Sequence, residues 1–160
     1  MNTKLILVRG ASGSGKSTYA RKLAEEIGAE VYEADYYFLV NGEYVFDPKK
    51  LGWAHKSNQD RTRKSLEEGK TVIVANTLTT SREIRDYTSI AESLGIPVEV
   101  YRSNATFGNV HGVPDEKVAQ MRARMVDYPG GSHHQLLIAV RQPRNDTQIL
   151  LIVSAFFVYA

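Results

Sequence analysis

The sequence predicts a three-layer α/β/α domain with a parallel central sheet, and three observations lead to that expectation. Short apolar runs recur at residues 4–8, 29–34, 71–75 and 96–101, with helical spacing of apolar positions in the segments between them. The third run, Thr-Val-Ile-Val-Ala, is rich in β-branched residues and has no polar break, as a strand covered on both faces requires. Gly28, Gly69 and Gly95 stand where the intervening helices should end. Alternation of this kind builds parallel βαβ units.

Taken in order, residues 4–8 form the first strand, and residues 19–27 the first helix. The second strand, 29–34, runs straight into Asp35-Tyr36-Tyr37-Phe38. Ligands of open parallel sheets bind beyond the carboxyl ends of the strands, which places Asp35 on the functional rim. Asn41-Gly42 marks a turn. Asp47-Pro48 then opens a helix, a capping residue followed by a first-turn proline, that extends to Glu68. Asn76-Thr77-Leu78-Thr79-Thr80 leaves the third strand, and Thr80 with Glu83 makes a capping box for a helix over residues 81–94. Pro97 sits at the start of the fourth strand, where its missing N–H matters least. Residues 102–113 read as irregular, and Pro114 opens a helix through Val118, Met121 and Met125.

The last thirty residues differ. Pro129-Gly130-Gly131 breaks the chain, and residues 135–140 and 148–159 are strand-like, which suggests a closing hairpin on the sheet edge. The expected division is therefore a main domain over 1–128 and a C-terminal extension over 129–160 packed on it. His133 and His134 lack companion ligands and read as surface residues rather than a metal site.

Between the first strand and the first helix lies Gly10-Ala11-Ser12-Gly13-Ser14-Gly15-Lys16-Ser17, followed by Thr18. Strand, glycine loop and helix in that order are the context of a phosphate-binding P-loop. The glycines permit a tight turn that exposes backbone N–H groups, and the helix N-terminus adds its partial positive charge. In that arrangement Lys16 reaches the β/γ-phosphates, Ser17 holds Mg²⁺ through its hydroxyl, and Gly13, Ser14, Gly15 and Thr18 line the cradle with amides, Ser12 beside them. ATP and Mg²⁺ are the cofactors this predicts.

Composition agrees with one soluble domain. Of 160 residues 42% are hydrophobic and 24% charged, and the net charge of +2 neither demands nor excludes a nucleic-acid partner. With no cysteine there is no disulfide framework and no thiolate zinc site. The longest apolar run, about a dozen residues, is too short to span a bilayer. A cytoplasmic location without membrane contact is the expectation.

Five stretches together resemble the P-loop kinases related to bacteriophage polynucleotide kinase. They are Gly10–Thr18, Asp35-Tyr36-Tyr37, the helix carrying Leu51, Ala54, His55, Asn58 and Gln59, the rim Val74-Ala75-Asn76-Thr77, and Asn109-Val110-His111-Gly112-Val113-Pro114. That group, AAA-type ATPase/kinase-like, includes the polynucleotide-kinase-like domain of animal ubiquitin-ligase-binding proteins. The resemblance implies transfer of the γ-phosphoryl of ATP to a 5′-hydroxyl of RNA or DNA, with a small hydroxyl compound as the alternative acceptor. A nucleotide-binding switch with weak hydrolysis is the other class of function. The resemblance also implies that Asp35 is the general base, that Asn76 and Thr77 face nucleotide or acceptor, and that a lid arginine stabilises the moving phosphoryl group. Arg102, Arg122 and Arg124 are the candidates for it, none singled out by the resemblance, and Arg122 is counted among the nucleotide-binding residues. Departures accompany it. Phe38 replaces an arginine that contacts the acceptor phosphate, Tyr36 replaces a second aspartate, Ala75 replaces an acid before the Asn-Thr pair, and Gly108 stands where an arginine is usual. The aromatics Tyr32, Tyr36, Tyr37, Phe38, Tyr44, Phe46 and Trp53 crowd the acceptor side, as core packing or as stacking surfaces. His55 and Gln59, one turn apart, are placed to address one ligand or solvent, and Arg61, Arg63 and Lys64 read as ordinary surface charge.

Overall fold

The computed structural model describes residues 2–103, 114–126, 134–138 and 152–153. The stretches 104–113, 127–133 and 139–151, with the Asn109–Val113 part of the resemblance, the 129–131 break and the 141–147 connection, lie outside the described residues, as do residues 154–160 and the side chains of 134–138 and 152–153.

The elements are β1 (Leu5–Arg9), α1 (Lys16–Ile27), β2 (Glu30–Tyr32), a 3₁₀ turn (Ala34–Phe38), β3 (Leu39–Val40), β4 (Glu43–Tyr44), a second 3₁₀ turn (Pro48–Lys50), α2 (Leu51–Glu67), β5 (Val72–Asn76), α3 (Ser81–Ser93), β6 (Val98–Ser103), α4 (Asp115–Arg124), β7 (His134–Ile138) and β8 (Ile152–Val153). One sheet has the order β2-β5-β1-β6-β7-β8. Its strands are parallel except β8, which pairs antiparallel with β7 at the edge. The P-loop kinase-like α/β fold expected from the sequence is the fold observed.

Period-two alternation sorts the central strands between two cores. Leu5, Leu7, Val72 and Val74 face α2 and α3 and pack with Leu66, Ile84, Tyr87 and Ile90. Ile6, Val8, Ile73 and Ala75 face α1 and pack with Ala20 and Ala24. Because β1 is covered on both faces and paired on both edges, its carboxyl end is fixed. Register sets Arg9 opposite Asn76 on one side and Arg102 on the other.

Several boundaries shift for local reasons. α1 starts at Lys16 rather than Tyr19 because Gly15, at φ 83, serves as its N-cap. β2 stops at Tyr32, since the Ala34 N–H leaves the ladder for the side chain of Asn76. Asn41 (φ 51) and Gly42 (φ 82) both adopt left-handed geometry, which turns the predicted bend into a two-residue hairpin between β3 and β4. Asp47 caps the 3₁₀ turn through Lys49 N–H at 3.0 Å, and α2 begins only after it. The Thr80–Glu83 capping box forms as expected. β6 continues through Ser103, so Arg102 is a strand residue. Among the described residues no helix is long and apolar enough to cross a membrane.

Candidate active site

β1 ends in Arg9, and the chain turns at once into the glycine loop. Gly10 donates its N–H to Thr77 O at 3.3 Å, which ties the loop's root to the exit of β5. From the other side, the Ser103 hydroxyl at the end of β6 donates to the Ser14 carbonyl. Gly13 (φ 76) and Gly15 (φ 83) supply the left-handed residues that the turn requires. Ser14 N–H closes on Ala11 O at 3.1 Å, so that amide serves the loop's own turn.

α1 then starts with no side-chain cap and no acidic residue in its first turn. An uncapped helix start with Lys16 and Ser17 at its head suits an anionic ligand. Burial pulls the Lys16 ammonium below its ordinary value, while the carboxylates of Asp35 and then Glu33 draw it back up. That opposition places Lys16, Asp35 and Glu33 in one electrostatic neighbourhood. Of the remaining loop residues, Ser12 and Ser14 are buried, and the Ser14 hydroxyl has no hydrogen-bond partner. Thr18 is exposed.

Asp35 sits in the 3₁₀ turn beyond β2, half-buried, and accepts a hydrogen bond from the Tyr44 hydroxyl at 3.3 Å. Burial first, then the Asp35 carboxylate, pushes the Tyr44 phenol up to about 12, so it is a donor throughout the physiological range. A carboxylate oriented by such a donor can accept a proton from an attacking hydroxyl.

Both ends of the Asn76 amide are engaged within the fold. It is buried, its Oδ1 accepts Ala34 N–H at 2.9 Å, and its Nδ2 donates to the Tyr87 hydroxyl at 3.2 Å. Tyr87 also receives Asn58 Nδ2 at 2.9 Å. Its amide accepts and donates at once, so Asn76 pins the turn that bears Asp35. Thr77 contributes its carbonyl to Gly10.

Arg122 is half-buried on α4, Arg124 is exposed, and Arg102 lies within β6. The end of α4 docks on the β5 exit through Val126 N–H to Thr79 O at 3.0 Å. Tyr32 and Phe38 are core residues. Phe38 packs against Phe46 (5.2 Å between centroids) and Tyr44 (6.2 Å). Phe46 and Trp53 are half exposed, and Trp53 stands edge-on to Tyr37 at 5.4 Å. His55 and Gln59 are half-buried on α2. Arg61 lies 4.4 Å over the Tyr32 ring, and Arg63 reaches Glu67 at 3.9 Å, both from the exposed face of α2.

Sequence reasoning missed Glu33. It is 5% exposed, its Oε1 has no hydrogen-bond partner, and Arg21 Nη2 approaches Oε2 at 3.9 Å. Arg21 lies one helical turn from Ser17, so Glu33 addresses the α1 face that those two share. The one available signal was its place two residues before Asp35, where it reads as an exposed strand end.

With this geometry in view, the comparisons with known proteins are informative. A family model described as an AAA domain matches residues 5–107. Human NEDD4-binding protein 2 is 36% identical over 129 residues, which cover 73% of this chain but only 7% of the human protein's length. Among solved structures, a sugar kinase from Janibacter sp. HTCC2649 superposes with a TM-score of 0.58 at 20% identity, covering 84% of each chain. A chain of the Pnkp1/Rnl/Hen1 complex superposes with a TM-score of 0.56 at 21% identity, covering 74% of this chain and 38% of that one. At these identities the structural likenesses establish the fold.

Proposed function

Since the chain belongs to the AAA-domain family of P-loop, kinase-like proteins, we propose that it is a cytoplasmic phosphotransferase that moves the γ-phosphoryl of ATP to a polynucleotide 5′-hydroxyl. The observation that carries this reading is the electrostatic coupling of Lys16 to the half-buried Asp35, whose carboxylate is oriented by Tyr44. Lys16, at the head of an uncapped helix, feels Asp35 as its strongest opposing charge. In the reaction, backbone amides of Gly13 and residues 15–18 cradle the phosphates, Lys16 neutralises charge on the β/γ oxygens, and Asp35 orients the acceptor hydroxyl and takes its proton. Arg122 approaches from α4 to stabilise charge on the moving group.

The donors suit Mg²⁺. Among the described residues no group of three or more His, Asp or Glu side chains could hold a metal. Mg²⁺ tolerates that, because it keeps waters and shares ligands with phosphates. The Ser17 hydroxyl would hold it, with the unpartnered Oε1 of Glu33 taking its waters. A Mg²⁺ held there would supply charge neutralisation to the bound polyphosphate.

Phe46 and Trp53, with Lys49 and Lys50 between them, offer stacking faces and positive charge suited to a single-stranded acceptor end. A second reading, a small hydroxyl acceptor, is favoured by Phe38. It is sealed in the core, so that position gives no cation for an acceptor phosphate. Labelled ATP offered with a 5′-hydroxyl oligonucleotide beside nucleosides and sugars separates the readings. Label on the oligonucleotide supports the proposal, label on a small molecule supports the second reading, and phosphate release alone supports a switch.

A further inference from the structure

The end of β1 carries a buried cation immediately before the phosphate loop. Arg9 is 2% exposed. Its guanidinium donates from Nε to Leu78 O at 2.9 Å, from Nη1 to Val126 O at 2.7 Å and from Nη2 to Thr79 O at 3.5 Å. One planar fork thus gathers the exit of β5 and Val126, two residues beyond α4. Leu78, whose carbonyl meets Nε, is held at φ 44. That left-handed conformation is strained for a non-glycine residue.

A desolvated charge is a weak source of stability, and a strained leucine beside it is a further cost. Their meeting at one joint calls for a reason other than packing. The joint holds α4. Met125 N–H closes on Arg122 O at 3.3 Å, and Val126, whose carbonyl Arg9 takes, is the next residue. Arg122 therefore lies about one helical turn from the clasp. On the other side of Arg9 comes Gly10, the first residue of the phosphate loop.

We propose that Arg9 is a positioning residue that fixes α4, and with it Arg122, to the root of the phosphate loop, so that loop and lid helix shift as one piece. The inference rests on the phosphotransferase reading in assigning Arg122 to the phosphoryl group. The clasp itself does not. Lysine cannot replace Arg9, because an ammonium lacks the planar five-donor fork that spans carbonyls of two segments.

The test uses the full chain with Arg9→Lys and Arg122→Ala, singly and combined. ATP affinity, kcat and KM for ATP, and amide hydrogen exchange are measured. Arg9→Lys is expected to leave ATP affinity within about twofold and lower kcat at least about tenfold, the scale of a misplaced catalytic group. Exchange in residues 115–126 rises while β1 and β5 stay protected. In the Arg122→Ala background, Arg9→Lys lowers kcat no further, the signature of two residues acting as one unit. Independent, multiplicative losses overturn the proposal. So does unchanged exchange in α4, or exchange that rises equally across the sheet. Should the lysine variant fail to fold, Arg9→Gln is read in the same way. If wild type transfers phosphate to no acceptor, the phosphotransferase reading fails, and exchange in α4 alone decides the clasp.

Discussion

Asn76 Oδ1 accepts the Ala34 amide at 2.9 Å, so the end of β5 holds the residue immediately before Asp35. The same side chain donates to Tyr87, which in turn receives Asn58. One buried network therefore links α2, α3, β5 and the turn that bears Asp35. Asn76→Ala leaves the Ala34 N–H without a partner and should cost about 1–3 kcal/mol, read as a lower urea midpoint. Transfer should fall further than ATP affinity, because the phosphate loop keeps its own bonds.

Gly10→Ala should damage the loop itself. A Cβ there would stand 2.3 Å from Ser14 Oγ and 2.7 Å from Ser103 O. The serine hydroxyl can rotate away, but the Ser103 carbonyl belongs to β6 and cannot. ATP affinity is expected to fall at least about tenfold, roughly 1.4 kcal/mol, by calorimetry.

Acid should loosen α3 in a defined way. Burial works to raise the Glu83 carboxyl, but the Thr80 N–H and the Thr79 and Thr80 hydroxyls outweigh it and hold the carboxyl below its ordinary value. A depressed folded value means stability that is present above the unfolded value and lost as pH falls through the folded one. Glu83→Gln should flatten the melting temperature in that window. Thr80→Ala should cost about 1 kcal/mol at neutral pH through the lost cap.

Exposed aromatics report on the acceptor. Trp53→Ala should raise KM for a 5′-hydroxyl oligonucleotide about tenfold, since one stacked base contributes roughly 1–3 kcal/mol. ATP affinity should not move. A KM indifferent to Trp53 would favour the small-molecule acceptor.

The sheet, the phosphate loop and the capping box were legible in the sequence because each rests on local rules. Strand periodicity, glycine spacing and Thr80–Glu83 all act within a few residues. Asn76 was misread because its role depends on Ala34 and Tyr87, which the fold brings to it from 42 and 11 residues away. Glu33 and Arg9 were passed over for the same reason. A charged residue at a strand end looks solvent-facing until the neighbouring helix and loop close over it. Phe38, an acceptor-side aromatic in the sequence, became core once the short β3–β4 hairpin folded back on it.

The phosphotransferase proposal makes Asp35, electrostatically coupled to Lys16, the general base. Asp35→Asn, assayed with labelled ATP and a 5′-hydroxyl oligonucleotide alongside calorimetric ATP binding, tests it most directly. Transfer reduced at least about a hundredfold, within the range that general-base loss produces, with ATP affinity nearly unchanged, is the predicted result. Transfer at the wild-type rate would contradict it.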